Sequence, residues 1–198
     1  YGGGIYCDGT TSTIKNINIQ RSRSTSGGGG IYAKSKSKII IFGSEISKCN
    51  SEIGGGICIT ENSIINGEQL SVVSSTSKRG GGIMIEKESK MSLLKSKIYN
   101  NEAKEGGGLC LRDGGYLIVN DNTEITNNFA RNQGGGIMII SDSTADLYTS
   151  SLSYNSAFYG GALFVDGCSV KLSNIIINNN IVTDGGYGGG MFIAKNGN

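Results

Sequence analysis

The sequence predicts an all-β, right-handed, single-stranded parallel β-helix, wound from coils of about 26 residues with three strands in each. Three observations predict it. Glycine triplets recur at a fixed period along all 198 residues. Apolar side chains recur at fixed offsets from each triplet. No stretch of helical length carries a 3.6-residue apolar period, and there is no proline anywhere.

The triplets set the frame. Each is followed by an aliphatic residue: Ile5, Ile31, Ile57, Ile83, Leu109, Ile137, Leu163 and Met191. From one to the next the numbering rises by 26, 26, 26, 26, 28, 26 and 28. Self-similarity at such a period is the signature of a solenoid. Two residues on from each stand Cys7, Ala33, Ile59, Ile85, Leu111, Ile139, Val165 and Ile193. Side chains alternate along a strand, so both positions of each pair face one side.

A second apolar pair follows, as in Ile39 with Ile41, Met91 with Leu93, and Leu117 with Val119. A third position then carries Ile19, Ile46, Val72, Ile98, Ile125, Leu152 and Ile177. Clusters of Ser, Thr, Asn, Asp and Lys separate these segments. Three short strands per coil, each with an inward apolar set, stack in parallel at about 4.8 Å per coil. Right-handedness follows from the preference of parallel crossovers. Residues 1–198 read as one continuous unit of eight coils, the last truncated, and as a piece of something longer.

The third segment ends in asparagine. Asn101, Asn128, Asn155 and Asn180 share one position in successive coils. Asparagine tolerates left-handed backbone, and stacked amides bond to one another as a ladder, so a structural role is expected. Small residues follow two places later, at Ala103, Ala130 and Ala157. The glycines admit two explanations. One is a corner with positive φ or a tight cross-section; the other is close approach of another backbone or a flat ligand.

The pattern Asn101-x-Ala103 before Gly106–Gly108 and Leu109 returns at Asn128, Ala130 and Gly134–Ile137, and at Asn155, Ala157 and Gly160–Leu163. It resembles the GGA[ILV] repeats of the polymorphic outer membrane protein family, and related pectin-lyase-like right-handed β-helix surface proteins. The resemblance implies a β-helical surface adhesin, extracellular or on the cell surface. Because the same scaffold hosts polysaccharide lyases, carbohydrate binding or degradation is the alternative reading.

Composition narrows the chemistry. With 18 basic and 16 acidic side chains, the net charge of +2 gives no whole-molecule field toward nucleic acid or anionic membrane. The charge is uneven: net +5 over residues 1–50, +1 over 51–100 and −4 over 101–198. No apolar run is long enough to span a bilayer as a helix, so no direct membrane insertion is expected of this segment. There is no histidine, which excludes triads and imidazole acid–base chemistry; an enzyme is not expected. Five cysteines at 7, 49, 58, 110 and 168 form no CxxC pair, so neither a zinc site nor a closed disulfide framework is indicated. No cofactor or metal is expected.

Several side-chain sets are candidates for a site. Position +1 reads Tyr6, Tyr32, Cys58, Met84, Cys110, Met138, Phe164 and Phe192. Facing away from the lumen and flanked by glycines, this apolar row is expected to form an exposed stripe, docking another protein or a copy of the chain. Glycans are a second class of partner. Arg21, Arg23, Lys34, Lys36 and Lys38 form a basic cluster in sequence, read mainly as a solvated face. Asp8, Asp113, Asp142 and Asp166 follow the first strand of their coils and read mainly as turn residues.

Overall fold

The computed structural model describes residues 1–195, apart from the side chain of residue 184. The last three residues of the expected eight-coil span lie outside the described residues. The chain winds as a right-handed parallel β-solenoid with three sheets. Its coils are about 26 residues long, as the repeat requires.

Sheet A has eight strands, beginning with Ile5–Asp8 and ending with Met191–Ala194. Each glycine triplet leads into one of them. Register is strict: Ile57 pairs with Ile83, Ile83 with Leu109, and Leu109 with Ile137. Sheet B forms the other two walls. One arm runs from Thr11–Lys15 to Tyr116–Asn120, the other from Asn18–Gln20 to Glu124–Thr126, and the long strand Thr144–Ser153 joins them. These three walls are the three strand segments read in each coil.

The walls enclose one lumen. Ile31, Ile57, Ile83, Leu109, Ile137 and Leu163 are fully buried there with Ile39, Ile41, Ile98 and Leu147. Stacking like on like keeps each inward row continuous, so each interior coil buries its apolar set against the coils above and below, while Leu172 and Ile193 at the far end stay exposed. Each such side chain contributes about 1.5–3 kcal/mol, most of it offset by chain entropy.

Corners turn on left-handed residues. Glu61 with Asn62, Lys87 with Glu88, and Ser141 with Asp142 form one such corner, all with φ between 50° and 60°. Only the corner before sheet A uses glycine in every coil, and its geometry explains why. Gly80 has φ of +62°. A Cβ on Gly81 would collide with the carbonyl oxygens of Gly107 and Glu102, and one on Gly82 would lie 2.7 Å from Gly108 O. Both explanations offered by the sequence therefore operate: positive φ at the first glycine, close backbone approach at the second and third.

Sheet C is an addition to the three expected walls. It comprises Thr76–Arg79, Glu102–Glu105, Phe129–Gln133, Ser156–Tyr159 and Ile181–Tyr187. Isolated bridges carry its register back to Asn50 and Arg23. It forms because the chain, leaving the asparagine corner, runs outward before folding back along the glycines.

Candidate binding groove

The expected apolar stripe requires correction. The row is continuous, with Tyr32, Cys58, Met84, Cys110, Met138 and Phe164 in register. It is not a surface. Those six side chains are at most 6% exposed and form a second apolar cluster outside sheet A. Tyr6 at 46% and Phe192, half-buried, are the less covered members, in the first and last coils. Part of the cover comes from Ile53 and Tyr159, four places before their sheet A strands, and part from Ile140, just after one. Ile53 and Tyr159 pack on the row, and the Tyr159 ring lies 5.2 Å from that of Phe192. Tyr159 ends a sheet C strand and Ile53 is bridged to Arg79 at the end of another, so the chain segment that forms sheet C also roofs much of the row.

Burial makes the enclosed thiols inert. The Cys110 thiol is pushed up to about 12 by desolvation, and Cys58 is raised well above its ordinary value by the same cause. All five cysteines are free.

The asparagines form a ladder inside the wall. Asn101 Nδ2 donates to Asn128 Oδ1 at 3.0 Å, Asn128 to Asn155 at 3.0 Å, and Asn155 to Asn180 at 3.1 Å. Each acceptor also takes the backbone N–H of the preceding asparagine, as Asn101 N does to Asn128 Oδ1 at 3.0 Å. The second amide hydrogen goes to a carbonyl, such as Val72 O for Asn101 and Ile98 O for Asn128. Ser75 continues the row, its backbone N–H donating to Asn101 Oδ1 at 2.9 Å. The rungs leave no amide group unpaired.

Sheet C presents its outer rows to solvent as the walls of a groove of about 1070 Å³ that crosses five coils. One row reads Arg23, Asn50, Thr76 and Glu102. The other includes Glu52, Lys78, Lys104 and Arg131. Small residues Ser51, Ser77 and Ala103 lie between them, pointing into the wall, where Ser51 Oγ donates to Ile53 O at 2.7 Å. Of the lining side chains four are cationic and two are carboxylates; none is aromatic.

Both carboxylates are engaged. Lys78 Nζ lies 2.7 Å from Glu52, and Arg131 lies 3.6 Å from Glu102. Arg23 and Lys104 have no carboxylate within ion-pair distance among the described residues. Asn50 Nδ2 donates to Thr76 Oγ1 at 2.6 Å.

The remaining candidates do not converge. Of the five clustered basic residues only Arg23 lines the groove. Lys34 instead pairs with Asp8 at 3.2 Å. Asp113 and Asp142 occupy left-handed corners, with φ of 51° and 59°, and none of the four aspartates lines the groove. Sequence reasoning missed the groove itself. A signal was available: Lys78, Lys104 and Arg131 are spaced by about one coil, as are the lumen residues.

Fold and groove together define a parallel β-solenoid that carries an axial cleft on its outer face. A family model described as a right handed beta helix region matches residues 3–198, and the chain belongs to that family. No match is found among curated proteins or solved structures. Among the described residues no helix is long and apolar enough to cross a membrane.

Proposed function

We propose that the chain is a rigid, non-catalytic segment of an extracellular or cell-surface protein that docks an extended partner along the sheet C groove. The stacked coils supply length and stiffness; sheet C supplies the docking surface. The observation that carries this reading is the groove itself. It crosses five coils, is lined mainly by charged and hydrogen-bonding side chains, and holds both its carboxylates in ion pairs rather than free for acid–base work. The apolar row outside sheet A does not serve as the docking face, because sheet C covers it.

The test fills the groove. Beads coated with the chain are assayed for adhesion to an array of matrix polysaccharides and proteins. Thr76→Trp, in the middle of the groove, is expected to abolish adhesion. Ser92→Trp, on the outer face of sheet B, is expected to leave it intact. Equal adhesion by both variants would overturn the reading.

A degradative reading draws on one observation: Glu52 and Glu102 share the groove. Two carboxylates across a scissile bond are the usual requirement for glycoside hydrolysis. A reducing-end assay on the same polysaccharides decides it. Product that disappears in both Glu52→Gln and Glu102→Gln would replace docking with hydrolysis.

A further inference from the structure

The enclosed row outside sheet A carries four sulfur atoms in succession. Cys58 pairs with Met84, Met84 with Cys110, and Cys110 with Met138. All four residues are buried and belong to one cluster. Thiol and thioether therefore alternate from rung to rung. Elsewhere the two residue types stay apart: Met91 pairs with Ile65 and Leu117, Met191 with Leu163, and Cys7 with Ala33. Apolar filling asks only for volume and shape, which leucine supplies as well as methionine. Sulfur adds something leucine lacks, a ligand for soft metal ions.

We infer that the stack of Cys58, Met84, Cys110 and Met138 is a binding site for Cu(I), each ion held between a thiolate on one strand and a thioether on the next. Cys58 with Met84, and Cys110 with Met138, make two such positions. No CxxC spacing is needed, because parallel stacking brings together residues one coil apart. Spacing, softness and charge select the ion. Neighbouring strands lie about 4.8 Å apart. A thiolate bonds zinc at about 2.3 Å, so an ion in line between two sulfurs of that reach needs them about 4.6 Å apart. Thiolate and thioether together favour Cu(I) over ions that seek oxygen ligands. Binding breaks the S–H bond and sends its proton to solvent, leaving a thiolate beside a monovalent cation. That pair is neutral, as an apolar enclosure requires; a divalent ion with one thiolate would leave a net charge there. Burial keeps both thiols protonated and inert on their own, but a coordinated metal ion removes the proton by its own charge. The row also has a polar approach. Ile53 and Tyr159 pack on it near either end, and at the same register position between them stand Arg79, Glu105 and Gln133, all half-buried. After burial itself, the Glu105 carboxylate is the largest influence raising the Cys110 thiol, so it favours a cation beside that sulfur.

Titration of Cu(I), kept reduced by ascorbate, into the folded chain in competition with the chelator bicinchoninate tests this, with bound copper counted after desalting. Two Cu(I) ions per chain are expected, each releasing one proton. Met84→Leu combined with Met138→Leu keeps the apolar volume and is expected to weaken binding by roughly tenfold or more. Cys58→Ala combined with Cys110→Ala is expected to abolish it. Met91→Leu, in the lumen, is expected to change nothing. Circular dichroism of each variant establishes that it is folded. A parent chain that binds no Cu(I), or that binds Zn(II) as tightly, would overturn the inference. So would binding by the double methionine variant equal to that of the parent. Loss of copper on Cys7→Ala or Cys49→Ala in place of the row variants would put the metal in the lumen and overturn it equally.

Discussion

Two stacked rows in this solenoid run side by side and obey opposite rules. The asparagine row is turned into the wall, and its chemistry is complete. Asn101, Asn128 and Asn155 each donate to the asparagine of the next coil, and each asparagine oxygen accepts from the coil before, so repetition strengthens the row. The row of Lys78, Lys104 and Arg131 is turned outward, and repetition works against it, because a cation cannot pair with another cation. Identical periodicity thus produces a structural element where the side chain is its own complement. Where it is not, the row is left one counter-ion short. Self-complementarity, more than regularity, separates what holds the fold from what awaits a partner.

The largest effect comes from moving a cation out of the open row into an enclosed one. Met84→Lys places an ammonium where the side chain is fully buried beneath sheet C. The cost is expected to exceed about 3 kcal/mol, and chemical denaturation should find the variant unfolded or nearly so. A folded Met84→Lys variant would mean that the row is open after all, and the contrast between enclosed and exposed rows would fail.

Breaking the ladder comes next. Asn128→Leu removes the acceptor for Asn101 and strands Ile98 O inside the wall. At about 1–3 kcal/mol for each buried group left without a partner, a loss of about 2–4 kcal/mol is expected by urea unfolding. Asn180, half-buried, sits at the less covered end of the ladder, so Asn180→Leu is expected to cost less.

A pH series sharpens the picture of the enclosed row. Burial raises the Cys110 thiol to about 12, against an ordinary value of 9.0. The unfolded thiol ionises first, so the stability it contributes is fully present below pH 9 and is lost as pH rises toward 12. Cys110→Ala is expected to flatten that decline in thermal unfolding across the same window. An unchanged slope would place Cys110 in contact with water.

Much of this was legible in the chain. Triplet spacing located sheet A, and the apolar offsets located both arms of sheet B, because a lumen row must keep its character from coil to coil. Asn101, Asn128, Asn155 and Asn180 could be read as a ladder for the same reason. Sheet C escaped notice because its exposed rows change chemistry at nearly every coil, as in Arg23, Asn50, Thr76 and Glu102. The enclosed row from Tyr32 to Phe164 was legible as a row but not as buried. Its cover comes from Ile53, Ile140 and Tyr159, which stand at two different places in their coils and share no periodic pattern. An outward-facing strand position says which way a side chain points, and says nothing about what folds back over it.

The smallest expected effect is the most direct test of the contrast between the two rows. Lys104→Gln removes the middle charge of the cation stack without introducing an opposite one. Measured together, its thermal unfolding and its adhesion in the bead assay should move in opposite directions. Stability should rise by about 0.2–1 kcal/mol as like-charge repulsion is relieved, while binding weakens. A drop in stability, or binding equal to that of the parent, would contradict the account.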